Sequence, residues 1–107
     1  MKAVVLRFYV HENRKHRHIL LYEWLLEQAK KMGIHGGSSF RAIAGYGRHG
    51  ILHEQHFFEL AGDLAVVTEF IVSSEEANAL VGLVKKEKLP IAFARWEAEF
   101  EVLEGQF

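Results

Sequence analysis

The sequence predicts an α+β fold with the element order β-α-β-β-α-β. Residues 3–10 and 64–72 are rich in β-branched and aromatic side chains, which is typical of strands with buried faces. Each run is followed by a segment with the apolar spacing of an amphipathic helix, and alternation at 92–102 predicts the last strand. At 107 residues the chain has the length of one domain, so we expect residues 1–107 to form a single unit.

The first half of the chain predicts a strand, a helix and a second strand. A polar stretch after residues 3–10 contains Asn13, which we interpret as a helix cap. The helix is expected to end at Gly33, and its buried side is predicted to consist of Leu21, Leu25, Ala29 and Met32. Alternating residues then predict a second strand that runs into a glycine-rich loop: Phe40, Ala42, Ala44 and Tyr46.

The second half predicts a strand, a helix and a strand. Ser73 and Glu76 have the spacing of a capping box at a helix start, and Pro90 prevents the helix from continuing. Between them, apolar residues recur at helical spacing: Ala77, Leu80, Val81 and Val84. In the last strand apolar residues at even positions alternate with charged residues such as Arg95 and Glu97.

This element order predicts a ferredoxin-like layer, an antiparallel sheet with both helices on one face. The first and third strands carry apolar residues on both faces, for example Leu6 and Phe8 against Val5 and Tyr9. The sheet face without helices is therefore expected to pack on neighbouring subunits in a closed homo-oligomer.

Composition excludes several classes of function. Thirteen basic and fourteen acidic residues give a net charge of −1, so no global field attracts nucleic acid, and we expect no nucleic-acid partner. The chain has no cysteine, which excludes disulfides and thiolate chemistry. No apolar stretch has the length of a membrane span or a signal peptide, and a cytoplasmic location is the expectation.

The glycine-rich segment after the second strand is the first candidate ligand site. Three glycines allow sharp turns or close approach to an anion, and an arginine supplies charge, in the run Gly45, Tyr46, Gly47, Arg48, His49 and Gly50. The alternative is that the glycines only ease the end of the strand. A second candidate is the basic stretch 11–18 before the first helix, where Lys15 and His16 could hold phosphate; the alternative there is a solvated turn.

Three histidines are a candidate metal site. On a helical turn His49, His53 and His56 would lie on one side and leave an open coordination position. The alternative is a set of solvated surface histidines, since the His53 to His56 spacing is one residue short of the zincin pattern. No nucleophile with a matched acid and base stands out, and we predict that the protein is not an enzyme.

Several blocks of this sequence resemble one family. These blocks are Tyr22 and Glu23, residues 42–47 followed by His49, Gly50 and His53, and residues 63–69. Together they resemble the domain-of-unknown-function family number 190, a group of PII-like proteins. The resemblance implies a ferredoxin-like subunit that assembles as a homotrimer, binds ligands in clefts between subunits and changes a long loop after the second strand, here about residues 45–62. The Gly-Phe-Gly-Arg stretch that opens this loop in PII proteins corresponds to Gly45, Tyr46, Gly47 and Arg48.

Two departures limit what the resemblance implies about the ligand. The second glycine-rich phosphate loop of PII proteins is absent, because residues 85–90 read Lys-Lys-Glu-Lys-Leu-Pro. The His-Gly-Lys-Pro-like turn of the family is replaced by residues 16–19, His-Arg-His-Ile. ATP is therefore not implied, and the cofactor is left open.

The leading hypothesis is a PII-like signalling protein that binds a small anionic effector, with a nucleotide as one option, and signals through the loop at 45–62. The resemblance also implies association with membrane transporters, including fluoride exporters. The alternative function is a metal-binding or metal-sensing module built from His49, His53 and His56.

Overall fold

A computed structural model describes residues 1–46, 52–54 and 65–104. The elements in chain order are β1 (Lys2–His11), β2 (Lys15–His16), β3 (Ile19–Leu20), α1 (Leu21–Lys31), β4 (Gly37–Arg41), β5 (Ala44–Tyr46), β6 (Leu52–Glu54), β7 (Ala65–Val72), α2 (Ser74–Lys86) and β8 (Ala92–Glu99). The main sheet has the order β4-β7-β1-β8, and every neighbouring pair is antiparallel. With α1 and α2 this confirms the predicted ferredoxin-like β-α-β-β-α-β fold.

The core lies between one face of the sheet and the two helices. Even-numbered residues of β1 and β7 point into it, because side chains alternate along a strand. Leu6 and Phe8 are fully buried, and Phe70 is 1% exposed and meets Phe8 edge to face at 6.3 Å between ring centroids. The helices contribute Leu25 from α1 and Leu80 from α2, both fully buried as predicted. The prediction that Met32 belongs to the buried side is wrong, because α1 ends at Lys31 and Met32, at its C-terminal cap, is 37% exposed.

The edge strand β4 packs on β7 through two close contacts. Gly37 lies opposite Phe70, and a Cβ atom at Gly37 would come within 2.4 Å of the Phe70 ring. Glycine is required there because the buried ring leaves no space for a side chain. Two positions along, the Ser39 hydroxyl lies 2.8 Å from the Thr68 hydroxyl, and this hydrogen bond satisfies the fully buried Thr68.

The two helices begin differently. At α2 the predicted capping box is confirmed: the Glu76 amide donates to the Ser73 hydroxyl at 3.1 Å, and the Ser73 amide donates to the Glu76 carboxylate at 2.9 Å. The prediction that Asn13 caps α1 is wrong. That helix begins at Leu21 without a side-chain cap, because residues 15–20 form the β2–β3 hairpin instead.

The predicted second strand is divided in the structure. β4 begins earlier than expected, at Gly37, and follows β7 up to Arg41 opposite Val66. The chain leaves the main sheet at residues 42–43, and β5 then pairs with β6 in a separate two-stranded sheet. The alternation of residues 40–46 therefore spans two strands in different sheets.

The sheet face away from the helices carries a mixture of large apolar side chains and one ion pair. We call it the open face; its larger side chains are Val5, Arg7, Tyr9, Phe40, Val67, Glu69, Ile71 and Trp96. Tyr9, Ile71 and Trp96 are each more than 40% exposed. The even-numbered apolar residues of the last strand lie on this face rather than in the core, since Trp96 pairs with Val5.

Candidate functional site

One end of the main sheet gathers the segments that the sequence predicts to bind ligands. We call this the loop end: β1 ends there at His11, β4 ends at Arg41 and β7 begins at Ala65. The β2–β3 hairpin leaves β1 at this end, and β5 follows β4. The carboxylate of Glu12 forms an ion pair with Arg41, which connects the two departing segments.

The β2–β3 hairpin turns through Arg17 and His18, and both residues have positive φ angles, of 54° and 71°. Two positive angles in a two-residue turn are typical of the type I′ hairpin, which favours asparagine and glycine. Each residue with a Cβ atom costs about 1 kcal/mol or more in this conformation. The hairpin is anchored to α1 by the amide of Leu21, which donates to the Arg14 carbonyl at 2.7 Å.

Glu87, at the C-terminal cap of α2, holds the hairpin from the other side. Its Oε1 atom lies 2.9 Å from His16 Nε2 and accepts hydrogen bonds from Arg17 Nη2 at 2.9 Å and Nε at 3.2 Å. The hydrogen bond with His16, followed by that with Arg17, lowers the pKa of Glu87 below its ordinary value. The hairpin and the end of α2 are thus tied together across 71 residues of sequence.

His16 also contacts the core. Its ring meets Trp24 of α1 edge to face, with 4.9 Å between the ring centroids. The His16 side chain is 18% exposed, whereas the Arg17 side chain is 70% exposed. His16 therefore bridges the core and Glu87, and Arg17 extends the same contact into solvent.

The predicted anion-site residues that the structure describes lie at the loop end. Lys15 and His16 form β2, where Lys15 is exposed; Gly45 and Tyr46 belong to β5 and are both exposed. The remaining predicted residues lie outside the described residues: Gly47, Arg48, His49 and Gly50. The anion site as a whole stays a prediction.

Sequence reasoning did not identify Glu87 as part of this end. A signal was present, because Glu87 is an acidic residue among lysines at the C-terminus of a helix, where the helix dipole disfavours negative charge. The contacts with His16 and Arg17 offset this cost. An unfavourable charge at a helix end is a reason to look for a cationic partner from elsewhere in the chain.

The metal prediction is not tested by the described part of the chain. His53 pairs with Gly45 in the β5–β6 ladder, and the predicted ligands His49 and His56 lie outside the described residues. Within residues 1–46, 52–54 and 65–104 no group of three potential metal ligands is present.

A cavity of about 650 Å³ lies at the opposite end of the sheet from the loop end. Its lining is mainly apolar and includes Ala3, Phe40, Ile71, Phe100 and Val102, with Glu69 at its side. Of the predicted ligand residues within the described ranges, none lines it. Because Phe40, Glu69 and Ile71 of the open face line it, this cavity adjoins the apolar surface rather than the basic loop end.

Comparison with known proteins identifies relatives of this chain. A family model described as DUF190, Uncharacterized ACR, matches residues 3–90. A UPF0166 protein from Aquifex aeolicus (strain VF5) is 34% identical over 85 residues, which cover 79% of this chain and 81% of that protein. A UPF0166 protein from Methanocaldococcus jannaschii is 31% identical over 81 residues, which cover 76% of this chain and 74% of that protein.

Solved structures share the fold. CPII, a nitrogen regulatory PII-like protein from Thiomonas intermedia K12 solved with ADP, AMP and bicarbonate, superposes with a TM-score of 0.64 at 18% identity, over 92% of this chain and 87% of that chain. A second structure of CPII, with ADP and bicarbonate, gives a TM-score of 0.62. No helix among the described residues is long and apolar enough to span a membrane. The sequence blocks, the ferredoxin-like fold and the matched family model lead to one conclusion: this chain belongs to the DUF190 family and has a PII-like fold.

Proposed function

We propose that this protein is a PII-like regulatory protein that binds a small anionic effector, with an adenine nucleotide as the first candidate, at clefts between subunits. The observation that carries the proposal is the grouping of Lys15, His16 and β5 at one end of a PII-like sheet. The fold neighbour CPII was solved with ADP and bicarbonate, both anions, which supports this class of ligand. The role is regulatory rather than catalytic, and residues 1–107 act as one cytoplasmic domain.

Assembly into a homotrimer is part of the proposal. The open face carries the exposed side chains of Tyr9, Ile71 and Trp96. It also carries Arg7 and Glu69, which form an ion pair with each other. A face with this composition is suited to burial against other subunits, because its central charges neutralise each other. Clefts between subunits would then place the loop end of one copy beside its neighbour.

The loop at 45–62 transmits the signal in this proposal. Effector binding shifts its conformations, and the loop then docks on a partner, for which a membrane transporter is the first candidate. Amide hydrogen exchange across residues 45–62, measured with and without ADP, tests the first step. Exchange that is unchanged at saturating ADP would contradict signalling through the loop.

Calorimetric titration with ADP, AMP and bicarbonate tests the binding proposal. Light scattering on the same protein measures the mass of the oligomer. We expect a trimer that binds at least one of these anions. Arg48→Ala should weaken binding about tenfold or more, because a charge-assisted hydrogen bond is lost. Arg95→Ala is the matched control, since the Arg95 guanidinium donates to Asn78 at 2.7 Å, near the start of α2 and not at the loop end.

Two outcomes would overturn the proposal. The first is the absence of binding by every anion in the panel. The second is stabilisation by zinc, nickel or cobalt alone, lost in His53→Ala, which would favour the metal-binding alternative.

A further inference from the structure

Three nitrogen atoms of the β2–β3 hairpin surround one carboxylate oxygen of Glu87. They are His16 Nε2 and Arg17 Nη2, both at 2.9 Å, and Arg17 Nε at 3.2 Å. An imidazole nitrogen and a guanidinium arranged in this way form the kind of group that also holds phosphate oxygens. In this structure a side chain of the same protein occupies the position of an anion.

The surroundings of this contact are cationic. Lys15 precedes His16 in β2, and Lys85, Lys86 and Lys88 flank Glu87 in the sequence. One carboxylate does not neutralise these groups, so an incoming oxyanion is attracted to this part of the surface. The Arg17 part of the contact is weak enough to exchange, because the Arg17 side chain is 70% exposed and exposed ion pairs contribute little. The His16 and Glu87 side chains are 18% and 17% exposed and form its more buried part.

We propose that His16 and Arg17 form an oxyanion subsite, and that Glu87 occupies this subsite when no ligand is bound. The inference rests on the proposed function and describes how anion binding at that site is regulated. An oxyanion, either free phosphate or the phosphate of a nucleotide, displaces Glu87 from the hairpin. Displacement separates the β2–β3 hairpin from the end of α2, so that binding changes the contact between two elements of the loop end.

The backbone of the hairpin agrees with this role. Arg17 and His18 hold positive φ angles, of 54° and 71°, where asparagine and glycine are preferred. The position of Arg17 in this turn brings its guanidinium to Glu87, with Nη2 at 2.9 Å. The double substitution Arg17→Asn with His18→Gly therefore removes the guanidinium and keeps a favourable hairpin.

The test is a calorimetric titration with inorganic phosphate. It compares three proteins: wild type, Glu87→Gln and the Arg17→Asn/His18→Gly variant. Glu87→Gln should bind phosphate about twofold to fivefold more tightly, because the competing carboxylate is gone. The hairpin variant should lose phosphate binding. A parallel titration of ADP distinguishes a nucleotide from free phosphate as the source of the oxyanion.

Hydrogen exchange without ligand gives a second readout. Amides of residues 17–20 should exchange faster in Glu87→Gln than in wild type, since the hairpin is no longer tied to α2. Equal phosphate affinity in wild type and Glu87→Gln, or unchanged binding in the hairpin variant, would overturn the subsite. If ADP still binds in that case, the proposed function stands and only the oxyanion subsite is rejected. Tighter phosphate binding by Glu87→Gln without any ADP binding would support the subsite and reject a nucleotide as the effector.

Discussion

Arg7 and Glu69 lie opposite each other in β1 and β7, at the centre of the open face. The Arg7 guanidinium donates to one Glu69 carboxylate oxygen, from Nε at 2.9 Å and from Nη2 at 2.5 Å. The hydrogen bond to Glu69 is the main reason that the pKa of Arg7 is raised. The guanidinium carbon also lies 5.3 Å from the centre of the Trp96 ring, so this pair links three strands of the sheet.

Glu69→Ala is expected to weaken assembly if the open face is the subunit interface. The substitution leaves Arg7 charged and without its carboxylate partner among apolar groups, and a buried unpaired charge is strongly destabilising. The concentration at which subunits dissociate should rise more than about tenfold. Light scattering over a dilution series measures this dissociation concentration.

A matched control replaces both members of the pair. Arg7→Met with Glu69→Leu removes both charges, and an apolar pair of similar volume should keep the oligomer. Dissociation of this double variant together with retained assembly of Glu69→Ala would contradict the assignment of the open face.

Gly37→Ala should destabilise the fold by about 1–3 kcal/mol, the usual cost of overpacking a core. The new Cβ would come within 2.4 Å of the Phe70 ring, and Phe70 is too deeply buried to move aside. Urea unfolding measures the change. Gly36→Ala is the control, because a Cβ there meets no atom within 4 Å, and equal costs at the two positions would contradict the packing explanation.

Ser73→Ala should lower the free energy of unfolding by about 1 kcal/mol, because it removes the hydroxyl that caps the Glu76 amide. The neighbouring Ser74 lies at the first position of α2 and is exposed, where its hydroxyl accepts only a long contact of 3.4 Å from Arg95. Ser74→Ala is therefore expected to change stability by less than about 0.5 kcal/mol. A larger effect at Ser74 than at Ser73 would argue against the cap.

Acidification should remove the stabilising contribution of Glu87. The pKa of Glu87 in the folded protein is lower than its ordinary value of 4.5, so its carboxylate form favours the fold above that pH, and the contribution disappears as pH falls through the folded pKa. The difference in melting temperature between wild type and Glu87→Gln should be largest near pH 6 and shrink toward about pH 3. A difference independent of pH in this range would mean that Glu87 acts through packing rather than charge.

Local patterns in the sequence were sufficient for the elements whose signals lie within a few residues. The capping box of Ser73 and Glu76, the apolar spacing of α2 and the β-branched runs of β1 and β7 were all predicted, because short-range hydrogen bonds and side-chain periodicity specify them. The element order then limited the topology to the ferredoxin-like sheet, since right-handed crossovers leave few alternatives.

The errors at the start of α1 and in the second strand have a common cause. A polar stretch with Asn13 is compatible with a helix cap and with a hairpin, and alternation at 40–46 is compatible with one strand or two. Partners distant in the sequence decided between them: Glu87 holds the β2–β3 hairpin, and the paired register of β4 with β7 ends at Arg41. Local propensity carries no information about such partners.

The sequence by itself determined the family, the fold class and the order of the two helices and the main-sheet strands, because these follow from motifs and from apolar periodicity along the chain. Only the tertiary structure decided that His16, Arg17 and Glu87 meet, that Gly37 must be glycine and that Trp96 lies on the open face. Each of these depends on the register between distant segments, from 33 residues apart for Gly37 and Phe70 to 91 residues apart for Val5 and Trp96, or on which face of a strand meets the helices. A one-residue change in register would reverse it.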